Sequence, residues 1–214
     1  MTDSNYTHYV LVIDRSGSMH SIRADAQGGI NQFIKDQIAL PGRATLSLYD
    51  FNWDVRTVFN FRKLSPEDNW TYRLGPSGGT ALLDAVGFAV TEVGEKLDAL
   101  PEAERPGKVV VLITTDGEEN SSREYTLAQV KKLVTRQQDK YGWQFSYIGA
   151  NVDAFANGAS LGIGQDQSLS YAATPRGTKM SMAAASAATS RYVAGGASCL
   201  EYTSTEREAA ADSD

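Results

Sequence analysis

The sequence predicts an α/β fold: a doubly wound, mostly parallel sheet with one antiparallel edge strand and helices on both faces. Three observations predict it. Short β-branched and aromatic segments alternate along the chain with helical segments long enough to cross over a sheet. Residues 108–114 are continuously apolar, as in a parallel strand covered on both faces. Two alternating segments separated by three residues predict an antiparallel hairpin at one edge.

The strand predictions rest on β-branched and aromatic runs bounded by polar loops. In chain order, the predicted strands are residues 8–13, 44–51, 55–61, 108–114 and 143–148. The second and third alternate apolar and polar side chains, which is typical of a hairpin with one exposed face. The first and fourth are almost wholly apolar, which favours a buried position in the sheet.

The helix predictions rest on apolar residues spaced three or four apart. The pattern predicts helices over residues 22–39, from about 80 to 97, from about 121 to 134, and over 153–161. Pro41 and Gly42 end the first of these. Ser121 and Glu124 have the S-x-x-E spacing of a capping box, so the third helix is expected to begin there.

Composition divides the chain at about residue 165. Residues 1–165 carry the alternating elements and are expected to form one domain. Residues 166–200 are rich in Ala, Ser and Gly, with a weakly helical pattern over 180–193 that either packs on the domain or associates with another copy. Residues 201–214 carry five acids and few apolar side chains, so a disordered tail is expected.

Charge and cysteine content exclude several classes of function. The 214-residue chain has a net charge of -6, which gives no positive surface for nucleic acid or an anionic membrane. The longest apolar run, residues 109–113, is far shorter than the about 20 residues that span a bilayer. A single cysteine, Cys199, and an N-terminus without a basic and apolar leader favour a cytoplasmic location, with association with a virion left open.

The loop after the first strand carries the sharpest chemical signal. A carboxylate and two hydroxyls occur there at alternate positions, and all are hard oxygen ligands of the kind Mg²⁺ prefers. A threonine after two glycines and an aspartate at the end of the fourth strand add two more oxygens. Because ligands of such sheets lie outside the carboxyl ends of the strands, we expect these loops to meet. The predicted ligands of a divalent cation are Asp14, Ser16, Ser18, Thr80 and Asp116.

Three segments, VIDRSGSM, GGTALLDAV and LITTDGEEN, occur in this order and together resemble the von Willebrand factor A domain over about residues 8–162. The resemblance implies a metal-ion-dependent adhesion site in which Ser16, Ser18 and Thr80 contact the metal, and in which Asp14 and Asp116 act directly or through water. It implies Mg²⁺, or Mn²⁺ or Ca²⁺, as the cofactor. It also implies a protein partner whose Asp or Glu carboxylate completes the coordination.

The resemblance leaves the biological setting open. Stand-alone A domains of this size are similar to bacterial and bacteriophage proteins, which implies two alternatives: a structural or assembly role in a virion, or work beside an AAA+ ATPase. Neither the partner nor the oligomeric state follows from the sequence.

Enzymatic alternatives find less support. A metal-dependent phosphotransferase with Asp14 as nucleophile usually needs a second acid two residues later, where this chain has Ser16. A nucleotide-binding P-loop needs a lysine that the glycine-rich segment 77–80 lacks, and a serine hydrolase needs a G-x-S-x-G motif. The sequence therefore predicts no catalytic residue.

The neighbours of the predicted site have open roles. Residues 118–120 are expected to begin the following helix, where acids favour the positive end of the helix dipole. Arg15, Met19 and His20 either are solvated or contact a partner. Trp53 is expected to be a packing or hairpin residue. Trp70, in a loop, either packs or lies near a partner surface.

Overall fold

A computed structural model describes residues 1–68, 71–150 and 152–212. Six strands form one sheet in the order β3-β2-β1-β4-β5-β6. The strands are β1 (Asp3–Asp14), β2 (Arg43–Phe51), β3 (Val55–Lys63), β4 (Pro106–Thr115), β5 (Gln144–Ala150) and β6 (Ser168–Tyr171). The helices are α1 (Arg23–Ile38), α2 (Leu82–Asp98), α3 (Leu127–Tyr141), α4 (Ala154–Ser160), α5 (Pro175–Val193) and α6 (Ser204–Ala211).

The pairing of the strands confirms the predicted fold class. Every neighbouring pair is parallel except β2 with β3, which is antiparallel. The central strands β1 and β4 are buried over most of their length, as their apolar composition predicts. β3, at the edge, is half exposed.

Helices cover both faces of the sheet, because alternate side chains of the central strands point to opposite sides. Tyr9 and Leu11 of β1 pack with α1 and α5 in one buried cluster. Val10 and Val12 pack with α2 and α3 in the other. None of the helices in the described ranges has the length and apolarity needed to cross a bilayer.

The compositional boundary at residue 165 lies inside the folded unit. β6 was not predicted, since its four residues, SLSY, carry too weak an apolar pattern. α5 begins earlier than the predicted 180–193, with Thr174 accepting a hydrogen bond from the Gly177 N–H and Pro175 in the first turn. α5 packs closely on α1, because a Cβ on Gly29 would lie 2.6 Å from Cγ of Met182.

The expectation of a disordered tail over 201–214 is wrong for the residues that the structure describes. A capping box begins α6 there. Glu206 accepts two hydrogen bonds from the Arg191 guanidinium, at 2.6 and 2.9 Å. Tyr202 is buried, and its hydroxyl lies 2.5 Å from that of Ser146. The acidic composition was misleading because the segment's charge is partly compensated by a basic residue of α5, and its one large aromatic side chain is buried.

Candidate metal centre

The loop after β1 begins with a buried carboxylate. Asp14 is the last residue of β1 and has no exposed surface. Its Oδ1 accepts a hydrogen bond from the Ser16 backbone N–H at 2.6 Å. Its Oδ2 accepts one from the hydroxyl of Thr115, the last residue of β4, at 2.6 Å. The neighbouring parallel strand therefore fixes the orientation of this carboxylate.

A chain of hydrogen bonds connects this loop to the loop after β4. The hydroxyl oxygens of Ser16 and Ser18 lie 2.9 Å apart. The Ser18 hydroxyl in turn donates to Oδ1 of Asp116 at 2.6 Å. Both carboxylates and both serine hydroxyls of the predicted set thus lie at one place on the carboxyl edge of the sheet.

Thr80 joins the same place from the loop before α2. It is buried, and its Oγ1 and the Oγ of Ser18 each lie 3.6 Å from the position that a Cβ on Gly117 would take. The Thr80 N–H donates to Oδ1 of Asn120 at 3.0 Å, and the Asn120 N–H donates to the Thr80 carbonyl at 3.0 Å. The structure therefore brings all five predicted residues together, and their role as metal ligands stays a prediction.

The two carboxylates lack a counter-charge. Burial raises the pKa of Asp14 to about 6, hydrogen bonds from Thr115 and Ser16 oppose the rise, and the charge of Asp116 adds to it. Burial also raises the pKa of Asp116. No ion pair in the described ranges involves either group. Two under-compensated acids beside three hydroxyls are an all-oxygen set that fits a hard divalent cation.

The donor set is poor in carboxylates. Within the described ranges no group of three or more His, Cys, Asp or Glu side chains is arranged to hold a metal ion. A metal site at this edge would therefore depend on hydroxyl oxygens as well as on the two carboxylates.

Arg15 is neither solvated nor free to contact a partner. Its side chain is 16% exposed, and its Nε donates to Oδ1 of Asp50 at 3.0 Å. Asp50, which is buried, also accepts a hydrogen bond from the Arg56 Nε at 2.9 Å and one from the Tyr72 hydroxyl at 3.0 Å. Arg15 therefore anchors the loop after β1 to the hairpin of β2 and β3. His20 is exposed.

Residues 118–120 do not begin the following helix. Glu119 caps α2 instead, with Oε2 accepting from the Leu83 N–H at 2.9 Å. The other oxygen, Oε1, accepts from the N–H groups of Ser121 and Ser122 at 2.9 and 2.8 Å. The acid at this position stabilises a helix N-terminus, as predicted, but the helix belongs to another part of the chain.

The expected capping box at Ser121 and Glu124 is also wrong. α3 begins at Leu127, and its capping box is formed by Thr126 and Gln129. The segment before it is bound to α2, because Asp84 accepts hydrogen bonds from three successive backbone N–H groups, those of residues 123–125, at 2.8 to 2.9 Å. No local pattern pointed to this role of Asp84. Trp70 lies outside the described residues.

Comparisons with known proteins agree with this architecture. The family model of the von Willebrand factor type A domain matches residues 9–177. No curated protein matches the chain. A von Willebrand factor type A protein from Catenulispora acidiphila is similar, with a TM-score of 0.58 and 18% identity over 87% of this chain and 43% of that one. Proximal thread matrix protein 1 from the mussel byssus is similar, with a TM-score of 0.58 and 13% identity over 84% of this chain and 44% of that one.

A third structure matches over nearly its whole length. The vWF domain of a type V pili tip protein from Porphyromonas gingivalis has a TM-score of 0.58 and 12% identity over 92% of this chain and 97% of that one. The chain spans less than half the length of the two proteins named before it. Identities this low show a shared fold alone. The family model, in contrast, covers most of the chain, and it extends past the predicted limit of 162 to include β6. The chain therefore belongs to the von Willebrand factor type A domain family.

Proposed function

We propose that this chain is a protein-binding module that depends on a divalent cation. Domains of this family generally mediate metal-dependent protein interactions and are typically not enzymes. The observation that carries the proposal is the convergence of oxygens from three separate loops: hydrogen bonds from Ser16 through Ser18 to Asp116 join two of them, and Thr80 of the third lies beside Gly117. The proposed ligands are Asp14, Ser16, Ser18, Thr80 and Asp116.

In this proposal the hydroxyls are the direct ligands, and the carboxylates bind directly or through water. Two carboxylates balance the charge of a divalent cation without exceeding it, so an acid from outside is still attracted. A bound cation supplies one coordination position to an Asp or Glu of a protein partner. Thr115 and the Ser16 N–H keep Asp14 oriented toward the site during this exchange.

We propose Mg²⁺ as the cation, with Mn²⁺ and Ca²⁺ as substitutes, because all five side chains offer hard oxygens. A similar structure supports a divalent cation at this kind of site. A structure of proximal thread matrix protein 1, with a TM-score of 0.52 and 14% identity, has zinc in its metal-ion-dependent adhesion site (MIDAS) motif.

Isothermal titration of Mg²⁺ and Mn²⁺ into chelator-treated protein tests the site. We expect one ion to bind the parent chain and Asp14→Ala to weaken binding at least about tenfold, since a direct or water-mediated charged ligand is lost. Asp54→Ala is the matched control, because Asp54 is exposed on a neighbouring turn. Equal affinity in the parent chain and in Asp14→Ala would contradict the proposed site.

We propose no catalytic role for the chain. The position two residues after Asp14 carries the hydroxyl of Ser16, which lies against Ser18 and cannot act as a general acid near neutral pH. A phosphatase assay with an aryl phosphate in Mg²⁺ is expected to give the same rate for the parent chain and for Asp14→Ala. A faster parent chain would favour the phosphotransferase alternative.

A further inference from the structure

The turn between β2 and β3 carries an exposed tryptophan beside the candidate metal centre. Trp53 is 65% exposed, more than any other Phe, Tyr or Trp in the described ranges. A Cβ on Gly78 would lie 3.1 Å from its Cε3, and a Cβ on Gly79 would lie 2.6 Å from its Nε1. Atoms of both rings therefore lie beside the backbone just before Thr80, while about two thirds of the residue's surface is exposed to solvent.

The turn is held firmly in this position by Asn52, which is buried. Its side-chain Nδ2 donates to the Ser77 carbonyl at 2.8 Å, and its backbone carbonyl accepts from the Ala81 N–H at 2.7 Å. The turn is thus bound to both ends of the glycine-containing loop. An aromatic side chain fixed in advance loses little conformational entropy when it contacts a partner.

Two exposed acids lie in the turn and in the loop after β4. Asp54 is the next residue of the turn, and Glu118 lies in the loop after β4, whose Ser121 hydroxyl borders Gly79. Both acids are exposed, and neither takes part in an ion pair in the part of the chain that the structure describes. The nearest cation of the hairpin, Arg56, is bound to Asp50.

We infer that Trp53 is a second contact for the partner and binds a Lys or Arg side chain by a cation–π interaction on its open face. The inference rests on the proposed function, because it takes the metal centre as the first contact. It adds the chemistry of the partner: an acidic residue that reaches the cation, with a basic residue a few positions away on the same segment. An indole is the best aromatic acceptor for a cation, and the negative charges of Asp54 and Glu118 strengthen the attraction.

Binding of short synthetic Gly/Ser peptides, measured by surface plasmon resonance in Mg²⁺ and in chelator, tests this inference. Each peptide carries one Glu and one Lys at one of several short spacings. Matched peptides replace Lys by norleucine or Glu by Gln. For at least one spacing we expect the Lys peptide to bind about threefold more tightly than its norleucine match, and Trp53→Ala to abolish this difference.

Two further variants sharpen the test. Trp53→Phe is expected to keep part of the preference for Lys, because a smaller aromatic face remains. Tyr141→Ala removes an exposed aromatic side chain at the end of α3, and it is expected to leave the preference unchanged.

The outcomes separate this inference from the proposed function. If Trp53→Ala keeps the full preference for Lys, or if no peptide binds although Mg²⁺ still binds through Asp14, the inference is overturned and the metal site stands. If the Gln peptide binds as well as the Glu peptide in Mg²⁺, the partner carboxylate of the proposed function is overturned, and the inference with it.

Discussion

Two buried carboxylates at the same edge of the sheet have opposite surroundings. Asp50 has no exposed surface and is compensated by the guanidinium groups of Arg15 and Arg56. Asp14 has no exposed surface either, but the groups of the described residues that hydrogen-bond to it, the Thr115 hydroxyl and Ser16, are neutral. The described part of the chain pairs the charge of Asp50 with two guanidinium groups and gives Asp14 no ion-pair partner.

The difference indicates a structural role for Asp50 and supports the proposal that Asp14 binds a cation. A buried charge is stable only when it is paired or when it coordinates a metal. Asp50 is paired within the chain, so its removal is expected to harm the fold. The raised pKa of Asp14 shows that its ionised form is disfavoured in the fold, and a bound cation would reverse this.

Removing the compensated carboxylate is expected to have the largest effect. Asp50→Ala leaves Arg15 with its 16% exposed side chain unpaired, so we expect a loss of about 3 kcal/mol in the free energy of unfolding. Urea denaturation measures the loss. Asp54→Ala, on the exposed turn, is the control and is expected to change stability by less than about 0.5 kcal/mol. A similar small change in Asp50→Ala would mean that the ion pairs do not stabilise the fold.

Saturation with Mg²⁺ is expected to have the next largest effect. At a free concentration about 100-fold above the dissociation constant, binding to the folded state alone adds about 2.7 kcal/mol to stability. Thermal unfolding in Mg²⁺ and in chelator measures this gain. Asp14→Asn is expected to lose most of it, whereas Asp54→Asn keeps it. A gain of equal size in Asp14→Asn would place the bound ion elsewhere.

Neutralising Asp14 in the metal-free protein is expected to stabilise it. Because the folded-state pKa, about 6, lies above the ordinary value of 3.8, folding favours the protonated carboxyl group. Its contribution to stability is therefore full below about pH 4 and is lost as the pH rises through 6. In chelator at pH 7.5, the free energy of unfolding of Asp14→Asn is expected to exceed that of the parent chain by about 2 kcal/mol.

The stability difference between Asp14→Asn and the parent chain, followed from pH 4 to pH 7.5, isolates this group from the other acids. We expect the two chains to approach equal stability at pH 4 and to diverge above it. A variant that is less stable than the parent chain at pH 7.5 in chelator would show that ionised Asp14 is well accommodated without a cation.

The smallest expected effect concerns the hydroxyl that orients Asp14. Thr115→Val keeps the shape of the side chain but removes its 2.6 Å hydrogen bond to the carboxylate, together with its longer contacts to the Gly117 backbone at 3.1 and 3.2 Å. We expect a loss of about 1 kcal/mol in stability in Mg²⁺, measured by urea denaturation. Thr114→Val, one residue earlier on β4, is the control. If both variants lose the same free energy of unfolding, the hydrogen bond from Thr115 to Asp14 has no special role.

Sequence patterns predicted the parts of the fold that depend on local periodicity. The apolar run of β4 and the hairpin of β2 and β3 were recognised because burial imposes a repeat on them. α6 was missed because its stability comes from Arg191 and from contacts of Tyr202 with Ser146, 56 positions away. A prediction from composition counts the acidic residues of the segment but cannot detect the distant residues that bind them.

The candidate site also has features that the sequence predicts and features that it does not. Proximity of Asp14 and Asp116 was predictable because they lie at the carboxyl ends of two parallel strands that end at one edge of the sheet. The roles of the supporting carboxylates were not predictable, since Glu119 and Asp84 bind backbone N–H groups 36 to 41 positions away. Arg15 was misjudged because its partner Asp50 lies on another strand and carries no signal of its own.

The segment that contains α6 also closes one side of the sheet. The Ala172 N–H, just after β6, donates to the Ala210 carbonyl at 3.0 Å, and the Arg207 guanidinium donates to the Ser168 carbonyl at 2.6 Å. Strand edges with unpaired backbone groups are templates for aggregation. With β6 covered and β3 interrupted by register shifts, the sheet offers no long regular edge to another chain within the described ranges. Truncation before residue 201 would expose such a template, and intermolecular β-pairing would then compete with the native fold.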